Sequence, residues 1–185
     1  YWRSFMYPLH ADGARQVRGC WGPPEALQKD LKGLRDHADL LAASADPTAA
    51  IGTARQAQQR TLAALKAPWA QWVDALQTLL DTARDNKDFN GTRLKKNNYD
   101  TWLQALSAWR DDPDLVWPAL TDAAWTRLTP TGLADVWKPG LPVPQHPGLD
   151  AIAAMPATLG ALPDARLDIL RHATHWVATR FAEEQ

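Results

Sequence analysis

The segment from Lys87 to Lys96, called here the basic segment, lies near the middle of the chain. It carries four basic side chains against one acidic side chain, Asp88. The basic residues are Lys87, Arg93, Lys95 and Lys96. Lysine and arginine bring positive charge to nucleic-acid phosphates, and asparagine amides can donate hydrogen bonds to the same oxygens. The candidate DNA-binding residues are Arg93, Lys95, Lys96, Asn97 and Asn98. Four cations could neutralise about two or three phosphates, but they could not read base sequence.

The same segment has a second interpretation, a solvated loop at the tip of a helical hairpin. It joins two apolar helical stretches, and the whole 185-residue chain has a formal net charge of −1. This near-neutral balance argues against a protein that coats nucleic acid over its whole surface. A local contact with phosphates and a plain solvated loop both remain open.

Two other groups of residues could hold a metal ion. His172 and His175 are one helical turn apart, but no acidic or cysteine partner at helical spacing completes a site around them. Asp111, Asp112 and Asp114 are typical of a turn at a helix end. The sequence has neither a GxxxxGK[ST] phosphate loop nor a GxSxG elbow, so we predict no catalytic residue, metal ligand or cofactor within it.

Composition limits the class of protein. Hydrophobic residues make up 45% of the chain, enough for a core, and no apolar run reaches the roughly eighteen residues of a membrane span. The single cysteine, Cys20, excludes an internal disulfide and is typical of a reducing compartment, so we expect a cytoplasmic protein without membrane contact. The start at Tyr1 inside an aromatic cluster indicates a piece of a longer protein, folded as a single domain over residues 1–185.

Helical periodicity predicts an all-α fold. The clearest case lies between Thr48 and Arg84, where apolar residues recur at alternating steps of three and four. These residues are Leu62, Leu65, Trp69, Trp72, Leu76, Leu79 and Ala83. The pattern keeps its phase across Pro68, so we favour one kinked helix over two separate ones. Such a helix would be about 55 Å long, which indicates an elongated domain with a long, hairpin-like arm.

Three other stretches also read as helices. One covers Pro23–Leu41, one covers Asn97–Arg110 with Asn97 or Asn98 as its cap, and a shorter one begins at Leu149. The residues expected to face inward from the first are Leu27, Leu31, Leu34 and Ala38. A closing helix is predicted to bury Leu167, Leu170, Thr174, Val177 and Phe181.

Several prolines are expected at the first position of a helix, each after a side chain that can cap it. The pairs are Asp46-Pro47, Asp112-Pro113, Thr129-Pro130 and His146-Pro147. By contrast, Lys138–Pro147 holds four prolines in ten residues, which predicts a stiff and extended surface connector.

Ten tryptophans suggest a platform for stacking bases, but most share a helical face with leucine or valine. The residues predicted to be core are Trp69, Trp72, Trp102, Trp109 and Trp176. Four others lie near the ends of elements and are left unassigned: Trp21, Trp117, Trp125 and Trp137.

Three blocks of sequence together resemble a known family. They are Tyr1-Trp2-Arg3-Ser4-Phe5-Met6-Tyr7-Pro8-Leu9, the Trp21-Gly22-Pro23 turn with Leu27 and Asp30, and the block from Phe89-Asn90 to Trp109. Their order and separation resemble the inserted helical arm, accessory subdomain 1B, of the RecB family, the β subunit of bacterial exodeoxyribonuclease V. The resemblance is best over Tyr1–Leu31 and Phe89–Trp109, whereas Asp111–Pro147 does not follow the family's pattern.

The resemblance implies a role in a larger enzyme. RecB-like proteins are UvrD-like superfamily 1 helicases with a C-terminal nuclease domain, and they act in double-strand break repair and homologous recombination. Their ATP-hydrolysing and Mg-dependent cleavage motifs lie outside these residues, so the resemblance leaves open whether this chain is an enzyme. The arm is implied to meet duplex DNA through its backbone phosphates, with the other subunits of exonuclease V as further partners.

An inserted arm must leave and re-enter its host at one place. The resemblance therefore implies that Tyr1–Tyr7 packs near Trp176 and Phe181, with the basic segment distant from both chain ends. Two alternatives stay open. One is a module that docks onto a partner subunit through an apolar patch of Trp117, Trp125 and Trp137. The more remote one is a metalloenzyme built on His172 and His175.

Overall fold

The structure, a computed structural model, describes residues 15, 17–18, 21–32 and 47–183. Its helices are α1 (Pro24–Lys32), α2 (Pro47–Lys66), α3 (Trp69–Asp85), α4 (Lys96–Asp111), α5 (Asp122–Arg127), α6 (Pro130–Val136), α7 (Pro147–Gly160) and α8 (Arg166–Glu183). Extended backbone pairs in this part of the chain only as an isolated antiparallel bridge between Phe89 and Trp137. The fold is all-α, as predicted. Within the described ranges, no helix is both long enough and apolar enough to cross a bilayer.

The chain divides into two compact units. The first comprises Tyr1–Gln58 and Pro163–Gln185, and the second comprises Gln59–Leu162. In the first unit, α1 packs against α8. In the second, α3 packs along α4 and also meets α7, and the short helices α5 and α6 pack against each other. The second unit holds the basic segment.

The core of the second unit follows the predicted apolar stripe. Leu62, Trp69, Leu76 and Ala83 are buried, whereas Leu65, Trp72 and Leu79 are partly buried against the same cluster. Val73 and Leu80 are also buried, so α3 presents a wider apolar face than the stripe alone indicates. That width fits a helix that is covered by both α4 and α7.

The prediction of a single kinked helix through Pro68 is wrong. Helix α2 ends at Lys66 and α3 begins at Trp69. Pro68 has no N–H to donate, and its ring obstructs the carbonyl of the preceding turn. The Pro68 carbonyl instead accepts from the Trp72 amide at 3.1 Å, and this bond opens the first turn of α3. The two helices therefore form separately on either side of a two-residue turn.

The inward face of the closing helix α8 agrees only in part with the predicted one, since Leu170 packs partly buried against the core of the first unit but Leu167 does not. Ala165, Ile169 and Ala173 are buried at steps of four, and Leu167 is 56% exposed. A residue two positions along a helix lies about 200° around its axis, so burial of the Ile169 face turns Leu167 outward. Thr174 is buried, as predicted.

Some predicted features lie outside the described residues. They are the packing of Tyr1–Tyr7, the position of Cys20, the side chains of Trp176 and Phe181, the inward residues Leu34 and Ala38, and the cap Asp46. Within α1, Leu27 is buried and Leu31 is partly buried, as predicted.

Two of the predicted proline caps are confirmed. Thr129 Oγ1 accepts from the Gly132 amide at 3.0 Å, and His146 Nδ1 accepts from the Gly148 amide at 3.0 Å, each with a proline in the first helical turn. The prediction that Asp112 caps a helix beginning at Pro113 is wrong, because Asp112 closes α4 and no helix follows it directly. Its carboxylate caps a local turn instead.

The cap at His146 makes stability depend on pH, because only an unprotonated Nδ1 can accept a hydrogen bond. Burial lowers the pKa of His146, so its stabilising effect is present above the unfolded pKa of about 6.5 and is lost as the pH falls through the folded value. His146→Asn keeps a capping acceptor that does not titrate. We expect urea unfolding between about pH 7 and 5 to show a smaller loss of stability in this variant than in the native chain. Equal losses would contradict this role for the imidazole.

Candidate nucleic-acid interface

The basic segment lies between α3 and α4 and is fastened to the end of α6 by its backbone. The Asn90 amide donates to the Val136 carbonyl at 2.9 Å, and the Lys138 amide donates to the Asp88 carbonyl at 2.8 Å. Between these two bonds Phe89 is buried, with its ring centroid 5.6 Å from that of Trp137. The start of the segment is therefore held to the core.

The Asn90 side chain shapes the turn that follows. Its Oδ1 accepts from the Thr92 amide at 3.0 Å, from the Thr92 hydroxyl at 2.6 Å and from the Arg93 amide at 3.3 Å. An asparagine carbonyl that closes on the backbone two residues ahead builds an Asx turn. The turn leads directly to Leu94, which is buried. Arg93 and Lys95 flank this anchor.

Arg93 is held by a carboxylate at the end of α6. Its guanidinium donates to the Asp135 carbonyl at 2.9 Å and to the Asp135 carboxylate at 2.6 Å. Arg127 donates to the same carboxylate. Its hydrogen bond, together with the charges of both guanidiniums, lowers the pKa of Asp135. Arg93 and Arg127 thus share one carboxylate, so the Arg93 charge is engaged but only partly balanced within the chain.

Lys96 is also engaged, between carboxylates of α3 and α4. Its ammonium lies 2.7 Å from Asp81 Oδ1 and 3.0 Å from Asp100 Oδ1. The buried Tyr99 hydroxyl donates to the same Asp81 oxygen at 2.6 Å, and the Gln77 amide bridges both carboxylates. This network ties the first turn of α4 to α3.

The ionisation of the network follows from these contacts. Hydrogen bonds from Lys96, Tyr99 and Gln77 hold the pKa of Asp81 well below its ordinary value. The carboxylates in turn raise the pKa of Lys96 above its ordinary value. Burial, followed by the bond to Asp81, raises the pKa of Tyr99 to about 12. At neutral pH the ammonium and carboxylate are therefore charged, and the phenol keeps its proton.

The remaining three candidates face solvent. The side chains of Lys95, Asn97 and Asn98 are exposed, and none makes a hydrogen bond or ion pair with any residue that the structure describes. The prediction that Asn97 or Asn98 caps the helix is wrong, because α4 begins at Lys96 and Lys95 occupies the cap position without a side-chain bond. Both asparagines lie inside the first turn, beside the exposed lysine.

The five candidates therefore divide into two groups. Arg93 and Lys96 are bound by carboxylates, whereas Lys95, Asn97 and Asn98 form a small polar surface at the start of α4, called here the α4 N-terminal surface. Lys87 is a further exposed cation of the same segment, with a φ of 59°. The arrangement can offer hydrogen-bond donors and one or two free positive charges to an anion.

The tryptophans predicted to be core are largely confirmed. Trp69, Trp102 and Trp109 are buried, and Trp72 is partly buried against them. Among the unassigned ones, Trp21 and Trp137 are buried. Trp117 is 45% exposed and stacks edge-on against the half-buried Trp125, with centroids 6.5 Å apart. Of the three tryptophans in the alternative docking patch, Trp137 is therefore buried.

The acidic cluster after α4 forms turn contacts, as predicted. Arg110 grips both oxygens of Asp111 at 2.7 and 2.9 Å, and Asp112 Oδ1 accepts from the Asp114 amide at 2.9 Å. Among the described residues, no three histidine, cysteine or carboxylate side chains come together as a metal ion would require.

A comparison with known proteins shows a distant similarity. The chain is 24% identical over 154 residues to RecBCD enzyme subunit RecB of Escherichia coli strain K12. The aligned region covers 82% of this chain and 12% of RecB, so the chain spans about an eighth of the length of that relative. No protein-family model matches the chain. The chain is therefore similar to one region of RecB, in line with the resemblance carried by its sequence blocks.

Proposed function

We propose that this chain is an accessory, duplex-contacting arm of a RecB-like subunit, in an ATP-dependent helicase and exonuclease that acts in double-strand break repair and recombination. The similarity to RecB over 82% of the chain supports the assignment to that subunit. The all-α fold is compatible with an inserted 1B-like arm. In this proposal ATP and Mg²⁺ act elsewhere in the parent enzyme, and the arm also lies against other subunits of the complex.

The observation that carries the DNA-contacting role is Lys95, which forms no ion pair with the described residues and lies beside Asn97 and Asn98. A lysine without a carboxylate partner keeps its charge available for a phosphate, and the neighbouring amides can donate hydrogen bonds to phosphate oxygens. Lys96 contributes less to this role, since Asp81 and Asp100 already balance its charge. Arg93 is held in place by Asp135, which it shares with Arg127. Contacts of this kind position a duplex without reading its sequence.

The proposal predicts a defined loss of affinity in Lys95→Ala. Removal of one phosphate contact at low salt should weaken duplex binding by about five- to tenfold, and by the same factor on unrelated sequences. Fluorescence anisotropy of the 185-residue chain with two labelled duplexes of different sequence measures this.

Arg60→Ala is the matched control for charge. Arg60 is an exposed cation on α2. Helix α2 ends at Lys66, whose ammonium donates to carbonyls at and just beyond the C-terminal end of α4. Lys95 lies at the opposite, N-terminal end of α4. We expect this control to change affinity by less than about twofold, because no phosphate contact is proposed there. Equal losses in the two variants, or a loss that depends on sequence for Lys95→Ala, would remove the DNA role from the α4 N-terminal surface.

A further inference from the structure

A groove of about 660 Å³ lies in the second unit between α3 and the extended connector that follows Trp137. Its lining is mainly apolar. The apolar members are Ala75, Leu79, Ala83, Trp137, Pro142 and Pro144. The connector is the one predicted from its four prolines, and two of its apolar side chains, Leu141 and Val143, are exposed. Proline fixes φ, so this side of the groove is stiff.

Two carboxylates, Asp74 and Asp88, also line the groove. Neither side chain makes a hydrogen bond or ion pair with the residues that the structure describes. Lys138 is the basic residue closest to the groove in sequence, and its amide donates to the Asp88 carbonyl at 2.8 Å. Its ammonium forms no ion pair with that carboxylate or with any other described group.

These two carboxylates differ from the others near the basic segment. Asp81, Asp100 and Asp135 each bind a lysine or arginine of the chain itself. No described lysine or arginine forms an ion pair with Asp74 or Asp88, although the charge of Arg110 acts on Asp74 from a greater distance. Both carboxylates lie beside apolar surface that a ligand could cover. A carboxylate next to an apolar groove attracts a cation with an adjoining apolar group, since the pair becomes stronger as water is removed.

We propose that this acidic groove binds an extended segment of a partner protein in which lysine or arginine alternates with an apolar side chain. Charge complementarity selects the basic residues, and the lining of alanine, leucine, tryptophan and proline takes the apolar one. Nucleic acid is disfavoured here, because its phosphates would meet two carboxylates that no described lysine or arginine binds directly. The groove and the α4 N-terminal surface thus have opposite charge preferences, and the two proposals are independent.

Trp137 gives this groove a spectroscopic reporter. Its indole N–H is buried and has no acceptor among the described residues, yet its ring lines the groove. Occupation of the groove should therefore shift this one indole resonance in a ¹H–¹⁵N spectrum of the 185-residue chain. Trp137→Phe assigns the resonance by its loss.

Three capped pentapeptides test the chemistry of the groove: Gly-Lys-Leu-Lys-Gly, Gly-Lys-Ser-Lys-Gly and Gly-Glu-Leu-Glu-Gly. We expect the first to shift the Trp137 indole resonance in a saturable way and the other two to leave it in place. Equal binding by both lysine peptides would overturn the apolar part of the proposal, and binding by the glutamate peptide would overturn the charge part. A shift caused by duplex DNA would make the groove part of a nucleic-acid surface instead.

A charge variant tests the two carboxylates directly. The double variant Asp74→Asn, Asp88→Asn should weaken binding of the lysine–leucine peptide by about fivefold, as expected for two exposed ion pairs. Asp85→Asn removes one charge from the same helix outside the groove lining and should change binding by less than about twofold. An unchanged affinity in the double variant, or an equal loss in the control, would refute the proposal.

Discussion

Gly132→Ala is expected to destabilise the second unit by about 3 kcal/mol or more, because the new methyl group has no space. A Cβ built at this position would overlap sterically with the Thr126 carbonyl oxygen and lie 2.9 Å from Arg127 Cα. Both neighbours are backbone atoms of α5, so relief requires α5 and α6 to move apart. That movement would disturb the packing that holds Leu128 and Leu133 fully buried.

Gly91→Ala is the matched control within the same unit. No atom lies within 4 Å of a Cβ built at Gly91, and its φ is not positive, so we expect a change within about 0.5 kcal/mol. Chemical denaturation followed by tryptophan fluorescence compares the two variants, since most of the buried tryptophans belong to this unit. Equal stability of Gly132→Ala and the native chain would show that α5 and α6 are not in close contact.

Lys66→Met is expected to cost about 2 kcal/mol, because it leaves two carbonyls without their donor. The Lys66 ammonium is buried and donates to the Asp112 carbonyl at 2.6 Å and to the Leu115 carbonyl at 2.8 Å. It also lies 5.1 Å from the centroid of the buried Trp109 ring. Its charge therefore stabilises the carboxyl end of α4, where the helix dipole is negative. Methionine keeps the length of the side chain but supplies no donor.

Arg60→Met separates this effect from a general loss of positive charge. Arg60 lies on the same helix and is exposed, so its replacement should change stability by less than about 0.5 kcal/mol. The same denaturation experiment measures both variants. Similar midpoints for Lys66→Met and the native chain would mean that water replaces the ammonium at both carbonyls.

Periodicity predicted the apolar face of α3 and the bounds of α4, but not the short helix α5 or the break between α2 and α3. The predicted bounds of α4 differ from the observed ones by one residue at each end, because its buried face repeats clearly through Trp102, Leu106 and Trp109. The same reasoning is only partly right in α8, which packs against α1, because Ile169 and Ala173 are buried there and Leu167 is exposed. It fails at Pro68, since a stripe can keep its phase across a turn.

The candidate site was only partly predictable. The spacing of four between Lys96 and Asp100 is a readable signal of a helical ion pair. The bond from Arg93 to Asp135 joins residues 42 positions apart and cannot be read from local sequence. The asparagines looked like caps, yet the burial of Leu94 starts the helix before them and leaves their side chains free in its first turn.

These ion pairs narrow the proposed function to fewer residues than the sequence indicates. Of the five candidates, only Lys95 has a positive charge that forms no ion pair with a carboxylate in the described part of the chain. The proposed DNA contact is therefore local, and it rests on one lysine supported by Asn97 and Asn98. Lys87 can add a second charge from the other end of the segment.

The salt dependence of duplex binding tests this claim most directly. The dissociation constant of the 185-residue chain and of Lys95→Ala is measured at several salt concentrations, and the logarithm of affinity is plotted against the logarithm of salt. A lysine that meets one phosphate predicts that the slope of the variant is smaller by about 0.9. Two parallel lines would show that Lys95 touches no phosphate and would contradict the account.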